Sequence, residues 1–211
     1  MKLTILGATG GVGTHLVRQA LAADHHVTAV VRDPSRLAVE PQVRLEVVTA
    51  KELDPSTLAP AVTGRDAVIS TLGARDRRPT TVCANGARAA IAAMREAGVN
   101  RYVVVSASGL VTDGDGVFTR SLVKPLLWRV LRESYRDMQE MEELVRASDL
   151  AWTIVRPPRL TAGERTGRIR SSADGNVRGS FSIARADVAD YLLRTVADDS
   201  LVKATISIAH G

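Results

Sequence analysis

Seven residues near the start of the chain, Gly7-Ala8-Thr9-Gly10-Gly11-Val12-Gly13, have the types and spacing that hold a diphosphate. The first glycine of such a run lets the backbone turn sharply off a strand, the second leaves room for an anion against the main chain, and the third lets a following helix pack close to that strand. A helix starting there points unpaired N–H groups and about half a positive charge at the anion. The spacing is G-x-x-G-x-x-G, one residue longer between the first two glycines than the simple G-x-G-x-x-G. Glycines alone also describe a flexible turn. Context favours the nucleotide reading: the apolar run Leu3–Leu6 precedes them, and Val12, Leu16, Val17, Ala20 and Leu21 then recur at helical spacing.

The residues just past the second strand decide which dinucleotide fits, because the adenosine ribose would lie there. Asp33 stands 20 residues past Gly13, the usual place for an acid that holds a ribose 2′-hydroxyl. Yet Asp33-Pro34-Ser35-Arg36 also reads as a helix start, with Asp33 as N-cap and Pro34 in the first helical position. An Asp used as a cap turns its oxygen away from a ligand. Arg32 and Arg36 would then flank the ribose and grip a 2′-phosphate, a charge-assisted contact of about 1.5–3 kcal/mol. NADPH is the expected cofactor.

Other polar candidates cluster at strand ends. Ser106-Ala107-Ser108-Gly109 comes directly after a strand and places Ser106 and Ser108 as catalytic candidates near the expected nicotinamide. Leu72-Gly73-Ala74-Arg75 ends another strand, where Gly73 lets the backbone approach the cofactor and Arg75, Arg77 and Arg78 edge the cleft. Pro157 and Pro158 form a rigid wall without amide donors, and Arg159 after them is the candidate substrate contact. Four residues beyond Tyr135 stands Gln139, so no lysine is placed to lower a tyrosine pKa, and Tyr135 reads as a packing residue. Glu140, Glu142 and Glu143 read as a solvated helix face rather than as paired carboxylates.

The elements that must position these groups alternate. Strands are expected at 3–6, 26–31, 43–49, 67–71, 101–105, 152–155 and 204–209, with helices at 14–23, 55–61, 79–97, 120–146 (broken or started near Pro125) and 184–197. Small residues in the third helix (Ala84, Gly86, Ala87, Ala90) suit close packing on a sheet, and Gly98 is its expected C-cap. Residues 161–180, rich in Gly, Thr, Ser and Arg, suggest a ribbon over the crevice. The pattern implies an α/β, single-domain, doubly wound and mostly parallel sheet over residues 1–211, with a small C-terminal substrate lobe and with 110–130 and 160–182 as substrate-side insertions.

Composition agrees. Aromatics are only 3%, so Val, Leu, Ile and Ala must build the core, as suits parallel strands buried on both faces; stacking platforms for nucleic acid need more aromatic residues. The net charge of +5 comes in short arginine groups near strand ends, which suits small anions in a cleft. The single cysteine, Cys83, excludes an internal disulfide, and the four histidines lack metal-ligand spacing, so no metal is expected. No apolar run approaches the roughly 20 residues of a membrane span, and the opening apolar stretch is short for a signal peptide. A cytoplasmic protein without nucleic-acid or membrane partners is expected, monomeric or homodimeric.

Taken together, Gly7-Ala8-Thr9-Gly10 with Gly13, Val31-Arg32-Asp33-Pro34-Ser35-Arg36-Leu37, Leu72-Gly73-Ala74-Arg75, Pro79-Thr80-Thr81-Val82, Pro157-Pro158 and Arg185-Ala186-Asp187-Val188-Ala189 are much more specific than the glycines. On these the chain resembles atypical short-chain dehydrogenases/reductases with an NAD(P)H-binding domain, of the biliverdin reductase B and flavin reductase type, and more distantly the NmrA-like regulators. The resemblance covers nearly the full length. It implies a Rossmann fold, NADPH, and hydride delivery to a planar acceptor such as a flavin or quinone-like ring. It also implies that Gly7, Thr9, Gly10, Gly11 and Val12 hold the pyrophosphate, that Arg32 and Arg36 hold the 2′-phosphate, that Leu72, Gly73 and Arg75 line the adenosine side, and that Ser106 and Pro157 face the nicotinamide. Two departures stand out: Ala50-Lys51 replaces the family's Gly-Asp at the adenine, and Ala107 replaces the flavin reductases' serine. A sensor of NADP(H) is the competing expectation, since it too would keep the nucleotide motif beside a reduced catalytic set.

Overall fold

The computed structural model describes residues 1–74, 78–111, 113, 124–173 and 175–211, with the backbone alone at 124–128 and 130. In chain order the strands are β1 (Lys2–Leu6), β2 (His26–Val31), β3 (Leu45–Thr49), β4 (Ala67–Ser70), β5 (Arg101–Val105), β6 (Ala151–Arg156), β7 (Arg159–Thr161), β8 (Ile169–Ser172), β9 (Ser182–Ala184) and β10 (Ala204–His210). The helices are α1 (Gly11–Ala22), α2 (Pro55–Val62), α3 (Val82–Ala97), α4 (Lys124–Arg146) and α5 (Arg185–Val196).

Eight strands make one sheet in the order β3-β2-β1-β4-β5-β6-β10-β8, parallel except for the β10–β8 edge. The order reverses between β1 and β4, and at such a switch point a crevice opens beyond the strands' carboxyl ends. Side chains alternate across the pleat. Leu3, Ile5, Val27, Ala29 and Val103 join α1 and α5 on one face, whereas Leu6, Val30, Val68, Tyr102 and Val104 join α2, α3 and α4 on the other. This is a single-domain Rossmann-like α/β fold.

Local chemistry fixes the helix ends. Asp54 caps α2 through the Thr57 amide, with Pro55 in the first turn. Gly98 ends α3 at φ 68°, a left-handed conformation that favours glycine. The start of α3 is capped from outside its own segment: Asp137 on α4 accepts the amides of Cys83 at 3.0 Å and Ala84 at 2.8 Å.

Three expectations change. Described helix α4 begins at Lys124, the start near Pro125 that the sequence allowed, with that proline in the first turn where no amide donor is needed; its break, however, falls at Leu131 (φ −109°, ψ 16°). Residues 161–180 do not form one ribbon: β8 pairs antiparallel with β10 in the main sheet, while β7 and β9 pair with each other as a separate two-stranded sheet. Finally, Glu142 is not on a solvated face but 2% exposed, because α4 turns it toward the end of β6.

Candidate active site

A cavity of about 1050 Å³ lies at the carboxyl ends of the central strands. Its floor at the switch point is the glycine turn. Gly7 adopts φ 77°, and a Cβ there would lie 2.9 Å from the Thr71 carbonyl, so neither conformation nor space admits a side chain. The Thr71 hydroxyl donates to the carbonyls of Leu6 at 3.0 Å and Gly7 at 3.2 Å, tying the turn to the end of β4. A Cβ on Gly13 would come 2.1 Å from the Gly7 carbonyl oxygen, which shows how closely α1 is seated on β1. The α1 N-terminus starts at Gly11 with Gly10 as N-cap, and no side chain caps it. Its first-turn amides therefore face the cavity that Gly7, Thr9, Gly10, Gly11 and Val12 line.

At one end of the cavity stands Arg32, exposed, just past β2. Asp33 is turned away from it. Its carboxylate accepts the Ser35 amide at 3.1 Å and the Ser35 hydroxyl at 2.7 Å, capping a short 3-10 turn over Pro34–Arg36. Arg36 is exposed on that turn and does not line the cavity. The same end is walled by Ala50, Leu53, Leu72, Gly73 and Ala74. Lys51 is exposed and outside the lining, whereas the apolar Ala50 beside it is part of it. The expectation for Arg75 and Arg77 lies outside the described residues; Arg78 is exposed.

The opposite end holds Ser106, Ser108, Pro157 and Arg159 together. The Ser106 amide donates to Val155 at 2.8 Å and the Ser108 amide to Pro157 at 2.9 Å, so β6 and the residue just past it fix both serines. Tyr135 is buried and also lines the cavity; a Cβ on Gly109 would fall 2.1 Å from its hydroxyl oxygen. Burial raises the Tyr135 pKa above its ordinary value of 10.0. Behind Ser106, Glu142 takes both nitrogens of the Arg156 fork, Nε at 2.8 Å and Nη2 at 2.5 Å, and also Arg146 at 2.6 Å. Burial pushes the Glu142 carboxyl up, but hydrogen bonds from Arg156 and Ser106 and the charges of Arg156 and Arg146 outweigh it, and the net shift is down. The Ser106 hydroxyl is near enough to favour that carboxylate without reaching full hydrogen-bond geometry.

Several lining residues were not read as site residues from the sequence: Tyr135, Asn176, Phe181 and Arg185. Among the described residues the wall contains no Asp, Glu, Lys or His, and its charges are Arg32, Arg159 and Arg185. Such a wall attracts anions and offers few proton donors. Cys83 is buried and points its thiol at the Leu72 carbonyl, and burial, then the nearby Asp137 charge, pushes the thiol well above its ordinary pKa, so it is not a nucleophile.

Fold and glycine turn together define a dinucleotide-binding protein of the Rossmann type. Residues 7–199 match the model of the NAD(P)H-binding family, and the chain belongs to that family. It is 29% identical to the UPF0659 protein YMR090W of Saccharomyces cerevisiae over all of this chain and 94% of that one. Among solved structures it is similar to the oxidoreductase ylbE of Lactococcus lactis (25% identity, TM-score 0.81, covering 100% of this chain and 91% of that one). It is also similar to ChuY, an anaerobillin reductase of Escherichia coli O157:H7 (25% identity, TM-score 0.79, covering 100% and 97%). These likenesses agree with the atypical short-chain dehydrogenase/reductase resemblance. No helix among the described residues is long and apolar enough to cross a membrane.

Proposed function

We propose that the protein is an NADPH-dependent reductase that passes hydride to a planar acceptor such as a flavin or quinone-like ring. The observation carrying this reading is the continuity of the cavity: one space runs from Arg32 past the glycine turn to Ser106, Ser108 and Phe181. Its volume stands at the upper end of the roughly 300–1000 Å³ usual for ligand pockets, so the nucleotide end leads into room for a second molecule.

The residues present fit the cofactor. The backbone around Gly10 leaves space against the main chain, and the uncapped α1 N-terminus supplies amide donors for the diphosphate. Among the described residues no acid pairs with Arg32, and Asp33 caps its own turn through Ser35, an arrangement suited to a 2′-phosphate rather than a bare ribose hydroxyl. Leu72 and Gly73 line the adenosine side, and Ser106 and Pro157 the nicotinamide side. When bound, NADPH supplies the hydride; the protein's part is to align two rings and keep water out.

The lack of acids among the described lining residues bears on the acceptor. A flavin or quinone-like ring takes hydride without a strong acid at hand, and its proton can come from solvent. Arg159, exposed at the mouth, favours an acceptor carrying negative charge. The test is steady-state oxidation of NADPH with FMN, riboflavin or a quinone in excess. Turnover on at least one ring acceptor supports the reductase; tight NADP binding with no turnover on any would replace it with the sensor.

A further inference from the structure

Arg185 opens α5, far along the chain from the glycine turn, yet its side chain reaches α1. A Cβ built on Gly11 would lie 2.6 Å from Cδ and 2.7 Å from Nε of Arg185. The arginine stem thus fills the space a side chain at position 11 would need. Helices α1 and α5 lie side by side in one core layer, and Gln19 Nε2 donates to the Ala186 carbonyl at 2.9 Å, which ties the start of α5 to α1.

The charge placement is unusual. Arg185 is the first residue of α5 and lies over the first turn of α1, so a cation stands at the positive end of two helix dipoles. The first turn of α1 holds no acid. Asp187, in the first turn of α5, is spent on Thr166 and Gly167, whose amides it accepts at 2.8 and 2.9 Å. Among the described residues nothing pairs with the Arg185 guanidinium, and it borders the same cavity as Gly10 and Gly11. A fold tolerates a locally unfavourable residue of this kind at a functional site.

We propose that Arg185 is a ligand of the cofactor diphosphate, delivered from α5 to the α1 N-terminus, and that position 11 is glycine to let its stem pass. The inference rests on the cofactor reading above and adds to it a cation that the glycine motif does not contain. It also divides the two ends of the nucleotide between two arginines, Arg185 at the diphosphate and Arg32 at the 2′-phosphate.

Calorimetric titration with NADPH, NADH and adenosine 2′-monophosphate tests it, with the apo melting temperature as a second measurement. Arg185→Met should raise the Kd of NADPH and of NADH alike by about tenfold to a hundredfold, the loss of one charge-assisted contact. Binding of adenosine 2′-monophosphate, which has no diphosphate, should be unchanged. Removing an unpaired cation from two helix N-termini should leave the apo protein at least as heat-stable as wild type. Gly11→Ala meets only a flexible side chain, so it should displace the guanidinium and weaken both dinucleotides in the wild type but add no loss to Arg185→Met. Unchanged dinucleotide affinities in Arg185→Met, a loss confined to NADPH, or a lowered apo melting temperature would each overturn the proposal. Wild-type protein that binds neither dinucleotide would instead bring down the cofactor reading itself.

Discussion

The Arg156 guanidinium and the Glu142 carboxylate meet fork to fork, at 2.8 and 2.5 Å, with Glu142 only 2% exposed. The pair joins α4 to the last residue of β6, directly before the prolines that wall the cavity. Ser106 lies beside the same carboxylate, so the ion pair sits directly behind the wall that the acceptor would meet. A buried ion pair is weak grounds for net stabilisation against an apolar alternative, but removing one partner leaves a charge in the interior.

Glu142→Ala should therefore cost about 3–5 kcal/mol in chemical denaturation, the usual loss when a buried pair is broken. The pH dependence comes from the lowered pKa. The folded carboxyl holds its proton less readily than the unfolded one, whose ordinary value is 4.5, so its stabilising contribution is complete above that pH and is lost as pH falls through the lower folded value. Glu142→Gln should be less stable than wild type at pH 7 and show a flatter acid limb. A variant with the same acid limb as wild type would remove Glu142 from this role. Asp54 acts in the same direction: its cap hydrogen bonds with Ser56 and Thr57 lower its pKa to about 2.

Arg32 gives a second prediction, about cofactor choice. Arg32→Asp should weaken NADPH by about tenfold to a hundredfold while sparing or improving NADH, because only the 2′-phosphate is lost as a partner. Comparing the two dissociation constants by calorimetry decides it, and an unchanged ratio would take Arg32 out of the site. Arg36, exposed and outside the cavity, should have a smaller effect than Arg32.

Asp137 supports a third. Its two oxygens accept the first free amides of α3, beside the Leu72 segment that lines the cavity. Loss of an N-cap costs about 0.5–2 kcal/mol, and burial of the orphaned amides adds to it. Asp137→Ala should speed hydrogen exchange at the Cys83 and Ala84 amides; Asp137→Asn, which keeps one acceptor, should lie between it and wild type. Equal protection of both amides in the alanine variant would mean that another group caps α3.

What the sequence revealed was local. The glycine turn, the Asp33-Pro34 cap, Gly98 and the strand-end serines are each specified within a few residues of chain, and each stands where its spacing implied. Residues whose role comes from contact between distant segments were less legible. Glu142 shares a helix with Glu140 and Glu143 and looks like them in one dimension; only the position of α4 against β6 buries it. Arg185 sits in a recognisable motif, but its neighbour Gly11 lies at the other end of the chain. Likewise, β8 looked like ribbon because Gly, Thr, Ser and Arg surround it, and pairing with β10 overrode that composition.

The glycines of the turn are equivalent in the sequence motif but not in space, and this separates folding from binding. A Cβ at Gly13 would strike the backbone of Gly7 and Ala8, at 2.1 and 2.9 Å, where no flexible side chain can give way. Gly13→Ala should thus push α1 off β1 and destabilise the protein by about 1–3 kcal/mol, as overpacking does. Gly10 has φ −79° and ψ 167°, a conformation open to any residue, and its Cβ would be 3.1 Å from the Gly7 carbonyl oxygen. A small adjustment relieves that contact, but a larger side chain there enters the space proposed for the diphosphate. Gly10→Val should then abolish NADPH binding in calorimetry while keeping most of the thermal stability that Gly13→Ala loses. Retained NADPH affinity in folded Gly10→Val would place the diphosphate elsewhere, because a ligand lying against that backbone cannot share the space with a valine.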